Sequence, residues 1–594
     1  MPPHSAGISI TRSSNATAFT WLLVTKLFIH FAKSHEHLSN YYAHKKRELD
    51  VLWPGHTFDP LLVRGLIVRT QHSDRQRYIR LFSWAANPSV VVRRIVSVER
   101  YILAIDQGTT RTKSALFDER GQLRGFGSAE VGRSYPQPGW VEQDPLQIWE
   151  SILLATRSAM RRARCRPEQI AGVGFDNQGE TVLAWNKETG RPIYNAIVWQ
   201  CRRTNAVCER LRAREGLERE IRSKTGLIID PYFSATKLRW LIDNVQKAKR
   251  LAKSRKLVLG TSDAWLIRKM AGTRYLITDF ATASRTMLLN IHKMQWDEDL
   301  LQLFKLPDEC LPDLIENSGQ LAYTDPVSFL GIQAPISGLI VDQQAALFGQ
   351  GCFKEGELKN TYGTGCFTLM NTGSTPKFSH HRLLTTVAWV LNGTVTYALD
   401  GGVYTAGSAI DWLVNGLGII RTPADSEKLA SSIPSNEGVF FVPAFVGLAA
   451  PYWDPLARGT IVGMTNRTTR ATIARATLES IAYQVENVLR CLEADSRLPV
   501  QRLRVDGGPT ANRFLMQFQA DISNVLVEVP EIREVTARGT ALLAAAGVGF
   551  WDDATKIIAS ARKTIYKPSM RSSERVRLLS GWRRAVARSR RWDT

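Results

Sequence analysis

Two short Gly/Thr-rich turns, each set between strand-like runs, constrain this chain more than any other feature. The first, Asp106-Gln-Gly-Thr-Thr110, follows the apolar run Tyr101–Ile105 and precedes Thr112–Phe117. The second, Asn360-Thr-Tyr-Gly-Thr-Gly365, precedes the apolar Cys366–Met370. Apolar runs of this length bounded by turn residues read as buried strands. Each unit is therefore expected to be a hairpin whose tip exposes backbone N–H groups and threonine hydroxyls, the makings of an anion site. One such turn is commonly a plain tight turn. Two of them in separate halves suggest two related domains that face each other and clamp a triphosphate between hairpins. A third element supports this: Leu503-Arg-Val-Asp-Gly-Gly508 runs from a short strand into a double-glycine turn, followed by a helix over 512–522.

The chain has 594 residues, too many for one core, since single cores stop growing near about 250–300 residues. Helical patterns at 145–164, 205–222, 470–494 and 535–550 alternate with strand signals, which indicates an α/β protein. Residues 170–199 read as strand, broken at Asn177-Gln-Gly-Glu180. Ser337–Val341 reads as a strand feeding Asp342-Gln-Gln and a helix at 345–350. Patterned sequence begins near residue 100. Residues 1–97 read as an N-terminal extension of unassigned role, and the charge run at 43–50 and residues 571–594 as surface or tail.

The net charge is +22, with more than half of the excess in residues 1–100 and 571–594. It suits an anionic partner such as a nucleotide. No RNP-like aromatic pattern or paired Cys/His spacing accompanies it, so no nucleic-acid partner is expected. The longest apolar run near the start, residues 18–31, is interrupted by Lys26 and falls short of a bilayer span, so no stable membrane insertion is expected. Seven scattered cysteines without a CxxC make no disulfide framework and point to a reducing, cytoplasmic compartment. No Walker A pattern and no GxGxxG after a strand is present, which excludes P-loop and Rossmann readings.

Within that frame some residues suit particular chemistry. Asp342 stands where a buried strand meets a helix, as an N-cap often does. Beside a phosphate clamp it is a candidate general base for an attacking hydroxyl. Asp106, at a strand end beside the first hairpin, suits Mg²⁺ through water, because Mg²⁺ sheds its hydration shell reluctantly. Gly507 and Gly508 would let a flat ring approach the backbone.

From about residue 100 to 592 the chain resembles the glycerol kinases of the FGGY carbohydrate kinase family, with the actin/hexokinase/Hsp70 ATPase fold. The stretches that carry the resemblance begin with Asp106–Thr110, Tyr135-Pro-Gln-Pro-Gly-Trp-Val-Glu142, Tyr194–Thr204 and Ile229-Asp-Pro-Tyr-Phe233. They continue with Asp342-Gln-Gln-Ala-Ala-Leu-Phe-Gly349, Asn360–Phe367, Pro451-Tyr-Trp-Asp-Pro455 and Asp506-Gly-Gly508. The resemblance implies two actin-like, ribonuclease H-like domains with a cleft between them: residues 98–352 for polyol and phosphate, residues 353–594 for nucleotide. It implies ATP-dependent phosphorylation of glycerol to sn-glycerol 3-phosphate, the first step of glycerol catabolism, with Mg²⁺. Asp342 would be the catalytic base and, with Asp106, would face the metal. Glu180, Trp199, Tyr232, Asp342, Gln343 and Phe367 would shape the polyol pocket. Thr109, Thr110, Gly363 and Thr364 would hold phosphates, while Gly407, Gly508 and Asn512 would frame the nucleotide. A homo-oligomer stays open.

Three departures accompany the resemblance. Where the family pattern reads Asn-Gln-Arg-Glu, this chain has Asn177-Gln-Gly-Glu180, so Gly179 stands in place of an arginine that contacts the polyol. Val341 stands in place of the glycine before the catalytic aspartate. Arg111 and Lys113 alter the first hairpin. Two alternatives therefore stay open: a kinase for another polyol or sugar, using space at Gly179, or an impaired family member that binds nucleotide without turnover.

Overall fold

The computed structural model describes residues 99–592 apart from Asp552 and Ser560, and before them the backbone of three strands, Ser9–Arg12, Leu66–His72 and Arg75–Leu81. Those three pair antiparallel in that order and belong to a compact unit, Met1–Glu99, distinct from the unit Arg100–Thr594. The apolar run at 18–31 and the charge run at 43–50 lie outside the described residues.

Within Arg100–Thr594 the same sheet plan occurs twice. A six-stranded sheet runs Ser318–Tyr323, Pro335–Val341, Ile170–Asn177, Tyr101–Gln107, Arg111–Phe117, Leu123–Glu130. A seven-stranded sheet runs Leu384–Leu391, Thr394–Val403, Cys366–Gly373, Leu358–Tyr362, Arg502–Asp506, Leu526–Pro530, Lys563–Tyr566. In each, an antiparallel hairpin abuts two parallel pairings: Tyr101–Gln107 with Ile170–Asn177 and then Pro335–Val341, and Leu358–Tyr362 with Arg502–Asp506 and then Leu526–Pro530. The Gly/Thr turns form the hairpin tips in both, as the sequence suggests. The structure is thus the expected two-lobed α/β architecture.

One apolar cluster joins the sheets. It holds Ile102, Ala104 and Ala115 of the first, Leu369, Ala388 and Ala398 of the second, and residues of the helices Asp342–Gly349 and Val535–Val548. A four-stranded sheet ordered Leu257–Thr261, Val182–Asn186, Ala196–Ile197, Glu142–Gln143 and its helices build a separate core, against which Trp199 and Tyr232 pack. Residues 170–199 are therefore divided between two sheets at the break the sequence shows.

Two sequence expectations need correction. The helix read at 205–222 is two helices, Asn205–Arg212 and Leu217–Thr225, parted at Gly216 with φ 78°. Residues 571–594 are not merely a surface tail: Ser572–Ser589 is a helix that buries Leu578, Trp582, Ala585 and Val586 in the second core. Trp582 stacks on Tyr483 with ring centroids 5.1 Å apart. The arginines occupy the other face, so their charge masks an apolar stripe of helical spacing.

Candidate active site

Parallel strand ends position the acids. Asp106 pairs with Asp176 across the first sheet, and Ile340 pairs with Asp176 from the other side, so Asp342 follows directly at the third strand end. Ligand sites of open α/β sheets lie at such carboxyl ends. Asp342 opens its helix, and its Oδ1 accepts the Gln343 backbone N–H at 2.7 Å. Burial, with the charges of Glu180 and Asp106 adding and Lys359 opposing, pushes its carboxyl up to about 7. Asp106 is also raised, by burial first, while Lys113 at 3.5 Å pulls the other way. Lys113 bridges onward to Glu534 at 2.8 Å. Arg111 instead pairs with exposed Glu130.

Asp176 was not singled out in the sequence. Its Oδ2 accepts the Thr540 hydroxyl at 2.6 Å, and its Oδ1 is buried without a partner. Burial and the charges of Asp106 and Asp342 hold it well above the ordinary carboxylate range. With Lys113 beside Asp106 and Lys359 acting on Asp342, burial and mutual repulsion hold the three acids toward their protonated forms, an arrangement that a cation would reverse.

Next to these acids lies an aromatic corner. The Trp199 ring meets Tyr232 at 5.5 Å and Phe367 at 6.3 Å, both near perpendicular. Trp199 Nε1 donates to Thr109 Oγ1 at 2.8 Å, which ties the corner to the first hairpin tip. Glu180 is buried, and its Oε1 accepts from Arg285 Nε at 2.8 Å. Arg285 also reaches Asp400 at 3.0 Å, so it links the two lobes. Gln343 Oε1 accepts from the buried Lys359 at 2.6 Å, and the same Nζ donates to Thr361 Oγ1 at 2.9 Å. Burial pulls the Lys359 ammonium below its ordinary value. Lys237 is buried too and donates to the Tyr232 carbonyl at 2.6 Å. Sequence reading missed Arg285, Lys359, Lys237 and Asp400. For Lys359 the signal was available: a lysine inside a strand that is otherwise buried on both faces.

The second hairpin gathers the other expected residues. Gly407 N–H donates to the Gly363 carbonyl at 2.9 Å, and Ser408 Oγ donates to the Thr364 carbonyl at 2.9 Å. A Cβ on Gly407 would meet Gly363 O at 2.6 Å and Pro509 at 3.6 Å, so Gly407 sits between the hairpin and the double-glycine turn. Gly507, at φ 95°, makes the turn that only glycine adopts readily. A Cβ on Gly508 would meet nothing within 4 Å, leaving open space on that side. Thr110, Gly363, Thr364 and Gly508 are exposed. Asn512 differs: its side chain caps the helix Arg513–Ser523 through Leu515 N–H at 2.9 Å and contacts Ser426. Its amide thus has a structural role at the helix start.

Comparison with known proteins accords with this geometry. Residues 101–349 match the N-terminal domain, and residues 358–548 the C-terminal domain, of the FGGY family of carbohydrate kinases. Glycerol kinase 2 of Thermotoga maritima is 50% identical over 495 residues, which cover 83% of this chain and 99% of that protein. The glycerol kinase of Carboxydothermus hydrogenoformans is 49% identical over 83% of this chain and 99% of its own. Among solved structures, Plasmodium falciparum glycerol kinase with ADP superposes with a TM-score of 0.77 at 35% identity, covering 83% of this chain and 98% of that one. With both domain models matched in order over most of its length, this chain belongs to the FGGY family of carbohydrate kinases.

Proposed function

We propose that this chain is a glycerol kinase that transfers the γ-phosphoryl group of ATP to a terminal hydroxyl of glycerol, giving sn-glycerol 3-phosphate and ADP. The observation that carries the reading is the meeting of Asp342 with Glu180, Gln343 and the Trp199–Tyr232–Phe367 corner. Glu180 and Gln343 accept or donate to hydroxyls, and the rings pack on the carbon chain. Asp342 takes the proton as the terminal oxygen attacks, and a carboxyl held near 7 by burial suits that transfer. Backbone N–H groups of Thr109, Thr110 and Thr364 at the two tips receive phosphate oxygens, the Gly363 N–H being taken by the Gly365 carbonyl at 2.8 Å. Gly407 and Gly508 border the space for the nucleotide ring.

Asp106, Asp176 and Asp342 suit a divalent cation, given the unpartnered Asp176 Oδ1. Among the described residues no three acid, imidazole or thiolate groups converge as direct ligands of one ion. Mg²⁺, when bound, would thus keep much of its water and supply charge neutralisation at the phosphates. Residues 98–352 would serve polyol and phosphate, and residues 353–594 the nucleotide. All seven cysteines are free and buried, which supports a reducing cytoplasmic setting. Among the described residues no helix is long and apolar enough to cross a membrane.

An ADP-release assay over glycerol, pentitols and ketopentoses tests the activity. Glycerol-dependent ADP formation is expected. ADP formation with a larger sugar but not with glycerol, or nucleotide binding without turnover on any of them, would overturn the assignment.

A further inference from the structure

Gly179 and Val341 immediately precede Glu180 and Asp342, and they stand at the ends of neighbouring parallel strands, where Val341 pairs with Asn177. A Cβ on Gly179 would lie 2.5 Å from Val341 Cγ2 and 3.6 Å from Arg285 Cγ. Carbon atoms pack at about 3.5–4.0 Å, so the first is an overlap and the second an ordinary contact. The space beside Gly179 is thus filled, by a valine methyl and then by the Arg285 stem. Val341 is buried in the cluster that joins the sheets, and a β-branched side chain there has few alternative rotamers. Arg285 is equally fixed. It bonds Glu180 and Asp400, and its guanidinium lies 5.8 Å from the Tyr232 ring centroid and 5.5 Å from that of Phe233.

We propose that Gly179 and Val341 form one specificity-determining pair: Val341 closes the wall of the polyol pocket where a side chain at 179 would stand, and Arg285, packed behind it, is the positioning residue that holds Glu180 for a substrate hydroxyl. The proposal deepens the glycerol kinase reading and rests on it. It explains why two departures from the family pattern occur together: a methyl gained at 341 requires the loss of a side chain at 179. It also removes the supposed room for a larger substrate. The wall is closed, so the pocket suits a three-carbon polyol better than a pentitol or ketopentose.

The test is a double-mutant cycle with the smallest probes. Gly179→Ala adds the overlapping Cβ. Val341→Ala removes Cγ2 and leaves a Cβ 3.8 Å away, an ordinary contact. Gly179→Ala should raise the glycerol KM about tenfold with kcat altered less than about threefold, and adding Val341→Ala should recover most of that loss. Gly179→Arg alone should likewise worsen glycerol use, and Gly179→Arg with Val341→Gly should improve on it. Arg285→Lys should raise KM while largely sparing kcat, because lysine keeps the charge but loses the fork. A Gly179→Arg enzyme that uses glycerol better than wild type, or additive effects of Gly179→Ala and Val341→Ala, would overturn the pair. An Arg285→Lys enzyme with a lowered Tm but unchanged KM would overturn the positioning role. Wild-type turnover on glycerol is measured first. Its absence overturns the activity reading instead, while the cycle in Tm still reads the packing of the pair.

Discussion

The aromatic corner proposed for the polyol and the glycine loops proposed for the nucleotide are built on opposite principles. In the corner almost every functional side chain is used twice: Glu180 by Arg285, Gln343 by Lys359, Trp199 by Thr109. The side proposed for the nucleotide is built from backbone. Gly363, Gly407, Gly507 and Gly508 contribute position and space, and Gly508 faces nothing within 4 Å. A buried ionic network is stiff because breaking one partner strands the other's charge. A glycine with open space beside it, as at Gly508, asks little of its neighbours. Substitutions of the ionic groups in the corner should therefore disturb both chemistry and folding, whereas a side chain at Gly508, which strikes nothing, should disturb binding alone.

The largest expected effect is at Asp342. Asp342→Asn keeps the size and removes the base, and turnover should fall about 10²–10⁴-fold. Nucleotide binding should survive. Normal turnover would take Asp342 out of the mechanism. Its titration gives a second handle. A carboxyl raised to about 7 takes its proton below that pH, so without Mg²⁺ the active base fraction should fall as pH drops through 7. Lys359 favours the ionised form, so Lys359→Met should move this titration to higher pH, while Mg²⁺ should move it lower. For stability the sign is reversed. A folded-state value above the unfolded one means that the stabilising contribution of this group is present below about pH 4 and is lost as pH rises through 7. Infrared carboxyl titration of the metal-free protein would check the direction.

Arg285→Met comes next and breaks the corner as a network. It leaves Glu180 and Asp400 buried without their cation, which should cost about 3–5 kcal/mol of stability. Chemical denaturation measures it, and an unchanged midpoint would mean that water replaces the arginine. On the other side, Gly508→Val should leave the denaturation midpoint near wild type, since no neighbour is struck. ATP affinity should fall about tenfold or more if a ring lies over that position. Calorimetry showing unchanged affinity would move the nucleotide elsewhere.

The same contrast decides what was legible in the sequence. Glycine turns between apolar runs are local signals, so both hairpins, the Asp506-Gly-Gly508 turn and the strand before Asp342 could be read directly. The Arg285–Glu180–Asp400 link joins residues more than a hundred positions apart, and no local pattern announces it. Asn512 was expected at the nucleotide through resemblance alone, and its part in the helix cap needed the structure. At Gly179 the sequence shows a missing side chain, while the structure shows a filled space. That difference needs the position of Val341, which only the strand pairing supplies. The C-terminal helix was legible in principle, through Leu578, Trp582, Ala585 and Val586, but its arginines outweighed that stripe.

The smallest effect sharpens the comparison where the two regions touch. Trp199 Nε1 donates to Thr109 Oγ1 at 2.8 Å, so one hydrogen bond ties the polyol corner to a phosphate hairpin. Trp199→Phe keeps a ring against Tyr232 and Phe367 and loses the donor. A neutral bond of this kind contributes about 0.5–1.5 kcal/mol, which corresponds to about a 2- to 12-fold change. Because the bond spans both regions, the loss should appear in the KM of glycerol and of ATP together, with stability little altered. Thr109→Val removes the acceptor and leaves the indole in place, so it separates the bond from the smaller ring. If the bond couples the regions, Thr109→Val should reproduce the shift in both constants, and the double variant should be no worse than Trp199→Phe alone. Additive losses would mean that Thr109 acts on phosphate and Trp199 on polyol independently, and the two regions would then be coupled through Arg285 and Lys359 instead.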